Sequence, residues 1–553
     1  MIQKPAGAPA PVSPALPHAK WTVPLADEAA TQALAAEIGA CVGAGDLVTL
    51  TGDLGAGKTA FARALIRSLV GDPALDVPSP TFTLIQTYEG PRCPIVHADL
   101  YRISGTDELA ELGWEEAAEG SLILVEWPER AGFLLGAERL DVQLALSPER
   151  GPGARVATIT GYGALAPRIA LNRAVQGLLQ VCGWNGAVRT HIQGDASSRV
   201  YERLRKGDGS TAILMISPRR PDGPPVRMGK SYPTIARLAT SVHAFLAMDQ
   251  ALIAQGLSAP RVLAADLQEG LVVTEDLGSV GVTDAAGPIP ERYVAAVEVL
   301  ALLHGRTLPT VLPLDGERDY TIPPYDLDAL SIEVELMLDW YMPAMGATPS
   351  GSARSTFLKL WREALEPVLA EPVTWTLRDV HSPNLFWLPE REGVKRVGLI
   401  DFQDTVLGPP AYDVAALLQD ARVDVPDELE LKLLGAYARA RKAADAGFAM
   451  GAFARAYAVM GAQRNTKILG IFRRLDRRDG KPQYLRHLPR IERAVRKNLA
   501  HPALADLRGW YAANLPWLFP EPRPAEDAGE PAGDRNPPKT DPQPMTGSDT
   551  PGD

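Results

Sequence analysis

Over the first 160 residues, short runs of alternating or continuous apolar residues take turns with stretches whose apolar positions recur every three or four residues. The runs 46–52, 81–89, 93–101 and 121–127 read as strands, and 58–70 and 106–120 read as helices. Two further runs, 140–146 and 155–163, read as strands that close a sheet, and the pattern as a whole predicts an α/β domain. Gly161, Gly163 and Pro167 then supply a boundary. Beyond it lie a helix-like segment from Ile169 and strand-like runs at 191–194, 199–205 and 211–217. A hairpin over 261–278 follows, with its turn near Glu269-Gly270. Long helical periodicity takes over at 291–305, 355–370 and 453–475, so a small β-rich lobe precedes a large helical one. No repeat of 20 to 50 residues is present.

The ends differ from the middle. Residues 1–20 are rich in proline and lack the apolar core of a signal peptide, so they read as a flexible leader. Residues 521–553 hold no aromatic, Leu, Ile or Val and read as a disordered, acidic, Pro-rich tail. The 56 Lys and Arg against 67 Asp and Glu give a net charge of -11, which excludes a chain-wide basic surface for nucleic acid. Any RNA link is therefore local or indirect. Cys41, Cys93 and Cys182 are too few and too scattered for a disulfide framework or a zinc knuckle, and no apolar run reaches 18 residues. These features predict a cytoplasmic protein without a membrane span.

The segment Gly52-Asp53-Leu54-Gly55-Ala56-Gly57-Lys58-Thr59 fits G-x-x-x-x-G-K-[ST], follows the strand-like Leu47–Leu50 and opens a helix. Its amides can face phosphates, Lys58 can neutralise the β/γ oxygens, and Thr59 can offer a hydroxyl to Mg²⁺. Hydrolysis also needs carboxylates near the metal and the water. Asp99 and Glu126 each close a strand-like run, where the carboxyl ends of parallel strands meet ligands.

With Val77–Leu84, His97–Arg102 and Glu126–Glu129 added, residues 20–160 resemble the TsaE ATPases of threonylcarbamoyladenosine synthesis in tRNA. The resemblance implies Mg-ATP at Lys58 and Thr59, and a switch-like loop carrying Ser79, Pro80, Thr81 and Thr83. It further implies a metal role for Asp99, a hydrolytic role for Glu126, and partners similar to TsaB and TsaD. His97 is expected to be structural.

In the second half, Asp379 and Asn384 have the D-x-x-x-x-N spacing of kinase catalytic loops, and Asp401-Phe402-Gln403 follows a strand-like run. In that pattern Asp379 serves the acceptor hydroxyl, and Asn384 and Asp401 hold metal. With Gly194–Arg199, Glu275–Gly278, Gly408–Asp413 and Gln463–Phe472, the stretch 170–518 resembles aminoglycoside-phosphotransferase-like kinases. Within these it is most similar to the AmgK group, which phosphorylates N-acetylmuramate and N-acetylglucosamine. The resemblance implies ATP contacts at Ser197 and Ser198 in a phosphate-covering loop and at Glu275 and Leu277 near the adenine. One position departs from protein kinases: Met215 stands where a phosphate-pairing lysine is expected, leaving that role vacant or taken by Arg199, Lys206 or another cation. The basic stretch 471–481 reads as a solvated helix end, and Trp340, Tyr341, Trp361, Trp510 and Tyr511 read as helix packing.

The sequence thus predicts a leader (1–20), an α/β P-loop ATPase domain (21–162), an α+β two-lobed kinase-like domain (163–520) and the tail (521–553). The function expected is bifunctional, with ATP and Mg²⁺ used at both sites and a small sugar as acceptor at the second. The alternative is a nucleotide-regulated scaffold of the tRNA-modifying complex with a pseudokinase module.

Overall fold

A computed structural model describes residues 19–103, 114–130, 138–192, 199–219, 222–314 and 316–519. The expected tail, most of the expected leader, and Ser197 and Ser198 lie outside them. Among the described residues the chain forms two compact units. One holds 19–325, 374–407 and 427–446, and the other holds 326–373, 408–426 and 447–519.

The first unit opens with β1 (Ala19–Leu25), α1 (Glu28–Gly39), β2 (Leu47–Thr51), α2 (Lys58–Val70), β3 (Ile85–Tyr88), β4 (Ile95–Asp99), β5 (Leu122–Glu126), β6 (Leu140–Leu146) and β7 (Arg155–Gly161). Their order in one seven-stranded sheet is β1-β7-β6-β2-β5-β4-β3. β2 pairs in parallel with both β5 and β6, and β4 pairs in parallel with β5. The central strands are covered on both faces, which is why β2 and β4 read as nearly unbroken apolar runs. β1 lies at the edge and alternates, with Pro24 tolerated because an edge strand can spare an amide donor. Its pairing with β7 reaches Gly161 and draws Ala19 and Lys20, expected as part of the leader, into the sheet.

α3 (Leu165–Val181) belongs to two cores at once. Its Leu165 and Ile169 pack with the P-loop sheet, while Val175, Leu178 and Leu179 pack under a second, antiparallel sheet. That sheet is built from β8 (Val188–Ile192), β9 (Val200–Arg205), β10 (Thr211–Ile216), β11 (Val262–Asp266) and β12 (Leu271–Glu275), in the order β11-β12-β10-β9-β8. Asn172 of α3 donates to Glu37 O of α1 at 3.4 Å and accepts from Arg189 of β8 at 2.9 Å, tying both sides to the same helix. α4 (Val242–Ala254), α5 (Pro290–His304) and the hairpin β13 (Leu385–Trp387) with β14 (Val397–Leu399) complete the parts of this unit that frame its sites.

The second unit is helical: α6 (Leu327–Leu336), α7 (Gly351–Leu369), α8 (Ala411–Leu418), α9 (Met450–Asp479), α10 (Leu488–Leu499) and α11 (Ala505–Asn514). α9 runs through its core and stops at Gly480, whose left-handed backbone caps the helix. As expected, Tyr341, Trp361, Trp510 and Tyr511 are buried packing residues. Buried Glu333 accepts from Lys467 at 2.8 Å and Gln463 at 3.0 Å, so its charge is compensated inside the core. Gly470 of α9 lies against the backbone that ends α6, and a Cβ there would sit 2.3 Å from the Leu336 carbonyl carbon. Backbone cannot yield as a side-chain tip can, so Gly470→Ala is expected to destabilise this unit by about 3 kcal/mol. Urea unfolding of the full chain measures it; an unshifted helical transition would contradict the close approach.

Candidate functional site

The parallel register builds the first site. Asp99 and Glu126 are partners at the carboxyl ends of β4 and β5, and Glu126 is also the partner of Leu50, two residues before the P-loop begins. Three chain segments therefore deliver their polar ends to one row. Gly52 turns the chain out of β2 at φ 138°, and a Cβ there would meet Leu144 O at 2.2 Å, so only glycine fits. Arg155 of β7 braces the loop from outside through a 2.9 Å bond to Ala56 O. A cavity of about 370 Å³ opens over the start of α2 and is lined by Gly55, Gly57, Lys58, Thr59, Ser79, Thr81, Asp99, Tyr101, Glu126 and Trp127, among others.

Inside it the polar groups are bonded to one another. Lys58 donates to Gly52 O at 2.6 Å and Asp53 O at 3.0 Å, with its ammonium 3.5 Å from the Trp127 ring centroid. Burial pulls its pKa below the usual lysine range, against the opposing pull of Glu126 and nearby carboxylates. Thr59 Oγ1 donates to Glu126 Oε2 at 2.9 Å, while Glu126 Oε1 lies 3.0 Å from His97 Nε2. Asp99 accepts from Ser79 at 2.8 Å and Thr81 at 3.1 Å. Pro80 is buried and Thr83 is exposed, and neither lines the cavity. Trp127 sits at φ 59°, a costly backbone state for a non-glycine residue, directly after Glu126.

His97 and Trp127 were not singled out as functional by sequence. The register signal was available: His97 is two residues before Asp99 on β4, so both side chains share a face beside β5.

The second site is assembled by a short hairpin. Leu385 of β13 faces Leu399 of β14, which places Asn384, just before the first strand, beside Asp401, just after the second. Asn384 Nδ2 donates to Asp379 O at 3.0 Å and to Asp401 Oδ2 at 3.3 Å. Gln403, in the place of the usual glycine, donates to Asp401 Oδ1 at 2.8 Å, a role for this residue that the spacing did not reveal. Phe402 stacks on Phe245 of α4 with ring centroids 5.1 Å apart, which seats the segment. Arg378 and Asp401 both hold positive φ, at 68° and 60°. Burial and the neighbouring Asp379 push the Asp401 carboxyl above the ordinary carboxylate range, with Arg199 opposing.

Glu275 is held by Arg391 at 2.6 Å, and its N–H donates to Arg261 O at 2.9 Å. Leu277 packs against Gly398, three residues before Asp401.

Both sites present hard oxygen donors, Thr59 with Asp99 and Asn384 with Asp401, of the kind Mg²⁺ takes together with phosphates. Among the described residues, no group of three or more His, Cys, Asp or Glu side chains is placed to hold a metal ion. No helix among the described residues is long and apolar enough to cross a membrane.

Residues 25–152 match the family model "Threonylcarbamoyl adenosine biosynthesis protein TsaE", and residues 189–451 match "Phosphotransferase enzyme family". The chain is 42% identical over 125 residues to a Rickettsia felis tRNA threonylcarbamoyladenosine biosynthesis protein TsaE, covering 23% of this chain and 72% of that one. It is 38% identical over 349 residues to an N-acetylmuramate/N-acetylglucosamine kinase of Caulobacter vibrioides, covering 61% and 95%. A Pseudomonas putida protein of the same description is 32% identical over 324 residues, covering 58% and 86%.

Proposed function

The chain belongs to the TsaE family through its amino-terminal part and to the phosphotransferase enzyme family, alongside N-acetylmuramate/N-acetylglucosamine kinases, through its carboxy-terminal part, and from that membership we propose a bifunctional cytoplasmic protein. The first site hydrolyses ATP in support of threonylcarbamoyladenosine modification of tRNA, together with subunits similar to TsaB and TsaD. The second transfers the γ-phosphoryl of ATP to the anomeric hydroxyl of N-acetylmuramate or N-acetylglucosamine. The observation that carries the second reading is the hairpin that sets Asn384 and Asp401 side by side next to the Asp379 loop, in a chain that spans 95% of a kinase relative.

Bound with ATP, Mg²⁺ would neutralise charge on the phosphoryl oxygens at both sites. In the first, Lys58 exchanges its loop carbonyls for phosphate oxygens. Thr59 donates its hydroxyl proton in a hydrogen bond to Glu126 and would hold the metal together with Asp99, and Glu126 orients the attacking water. In the second, Asp379 takes the proton of the acceptor hydroxyl, while Asn384 and Asp401 would hold the metal. Phosphorus NMR of the full chain with Mg-ATP and a panel of amino sugars tests this. A sugar 1-phosphate formed with N-acetylmuramate or N-acetylglucosamine, beside free phosphate, is expected. Free phosphate alone would turn the second half into a binding module.

A further inference from the structure

Kinase-like folds need a cation on the nucleotide face of the small lobe, and the usual strand lysine pairs the α/β-phosphates. Here that strand is β10, and the position is Met215, buried at 3% exposure with a thioether that cannot carry the charge. The antiparallel register puts Tyr201 of β9 directly opposite Met215, so the two side chains share one face of the sheet. Arg199, two residues before Tyr201, has the same parity and the same face. Its guanidinium reaches across to the metal-side carboxylate, with Nη1 3.2 Å from Asp401 Oδ1, and its side chain is 16% exposed.

Arg205 is exposed at the far end of β9, and three other cations on or beside this sheet are committed elsewhere. Lys206 lies over the Trp184 ring at 4.3 Å, at the far end of β9 and seven residues from Arg199, roughly 23 Å along an extended chain. Arg203 pairs with Asp276 at 2.8 Å, and Arg189 pairs with Glu202 at 2.6 Å.

We propose that Arg199 supplies from β9 the phosphate-binding charge that β10 lacks. Without nucleotide, the guanidinium rests against Asp401; with Mg-ATP, it turns to the phosphates and leaves the carboxylate to the metal. A planar guanidinium suits this position better than an ammonium would, because its fork can serve two phosphate oxygens at once. Met215 then needs no charge and fills the apolar sheet face. The inference rests on reading the second half as a phosphotransferase.

The test uses the full chain carrying Lys58→Ala, so that nucleotide binding reports on the second site. Affinity for a Mg-bound non-hydrolysable ATP analogue is titrated alongside kcat and KM for ATP in sugar phosphorylation. Arg199→Gln is expected to weaken analogue binding at least tenfold and to lower kcat/KM by about 10²–10³-fold, the range for removing one charge-stabilising donor. Arg199→Lys is expected to lie between this variant and the parent. Adding Met215→Lys to Arg199→Gln returns a cation to β10 and is expected to recover tenfold or more, an outcome that a merely unfolded variant could not give. Parent-like affinity in Arg199→Gln would overturn the proposal, whether or not a sugar acceptor is found. A parent chain that binds the analogue but phosphorylates no sugar would instead remove the function reading and leave the affinity comparison to decide on Arg199.

Discussion

Asp379→Asn is expected to lower sugar phosphorylation by about 10²–10⁴-fold while the chain stays folded and continues to release phosphate at its first site. Main-chain groups help to hold the loop around Asp379: its N–H donates to Leu377 O, and its carbonyl accepts from His381 N and Asn384 Nδ2. An isosteric amide leaves those bonds in place and removes the group that can take a proton from the acceptor. The substitution also has a signed electrostatic consequence. Burial, Asp379 and Asp404 all raise the Asp401 pKa, so removing the Asp379 charge lets Asp401 ionise at lower pH. The metal dependence of the residual rate should therefore persist towards more acidic pH than in the parent. Phosphorus NMR time courses at several pH values read both effects. A parent-like rate would take Asp379 out of the chemistry.

Glu126→Gln is expected to hold ATP about as tightly as the parent and to hydrolyse it about 10²–10⁴-fold more slowly. Glu126 is one of several residues lining the cavity, and the isosteric change leaves Gly55, Gly57 and Lys58 of the P-loop untouched. A glutamine oxygen can still accept from Thr59, but the carboxylate charge that orients water is gone, and so is the anionic partner of His97. Filter binding with labelled ATP separates affinity from turnover. Loss of binding in step with loss of turnover would mean that Glu126 acts through Thr59 and the metal alone.

How far the sequence reached can be judged site by site. The Gly52–Thr59 cradle was legible because phosphate binding by a loop and a helix start is local chemistry, compressed into eight neighbouring residues. The pair Asp99 and Glu126 was legible for a related reason: each ends an apolar run, and carboxyl ends of parallel strands gather at one edge. The bond from His97 to Glu126 was not, because it depends on which strand lies beside β4 and in what register. Trp127 over Lys58 depends on a positive φ that no propensity predicts. In the second half the spacing of Asp379 and Asn384 pointed to the reaction type, yet left the missing lysine open among several cations. The choice of Arg199 over Lys206 needed the twist and pairing of β9, which send one side chain to Asp401 and the other to Trp184.

By itself the sequence determined what short-range patterning can encode: the α/β order of the first 160 residues, the strand-then-helix order of the second half, both nucleotide motifs and the families they resemble. Only the tertiary structure decided matters of long-range register. Arg199 and Asp401 are 202 residues apart along the chain, and their meeting reflects sheet pairing on one side and a hairpin of two three-residue strands on the other. The sharing of α3 was equally hidden. Its apolar residues fit any amphipathic helix, and only packing shows that Leu165 and Ile169 serve one core while Val175, Leu178 and Leu179 serve the next. Periodicity states which face of a helix is buried, and the partner that buries it is set by the rest of the chain.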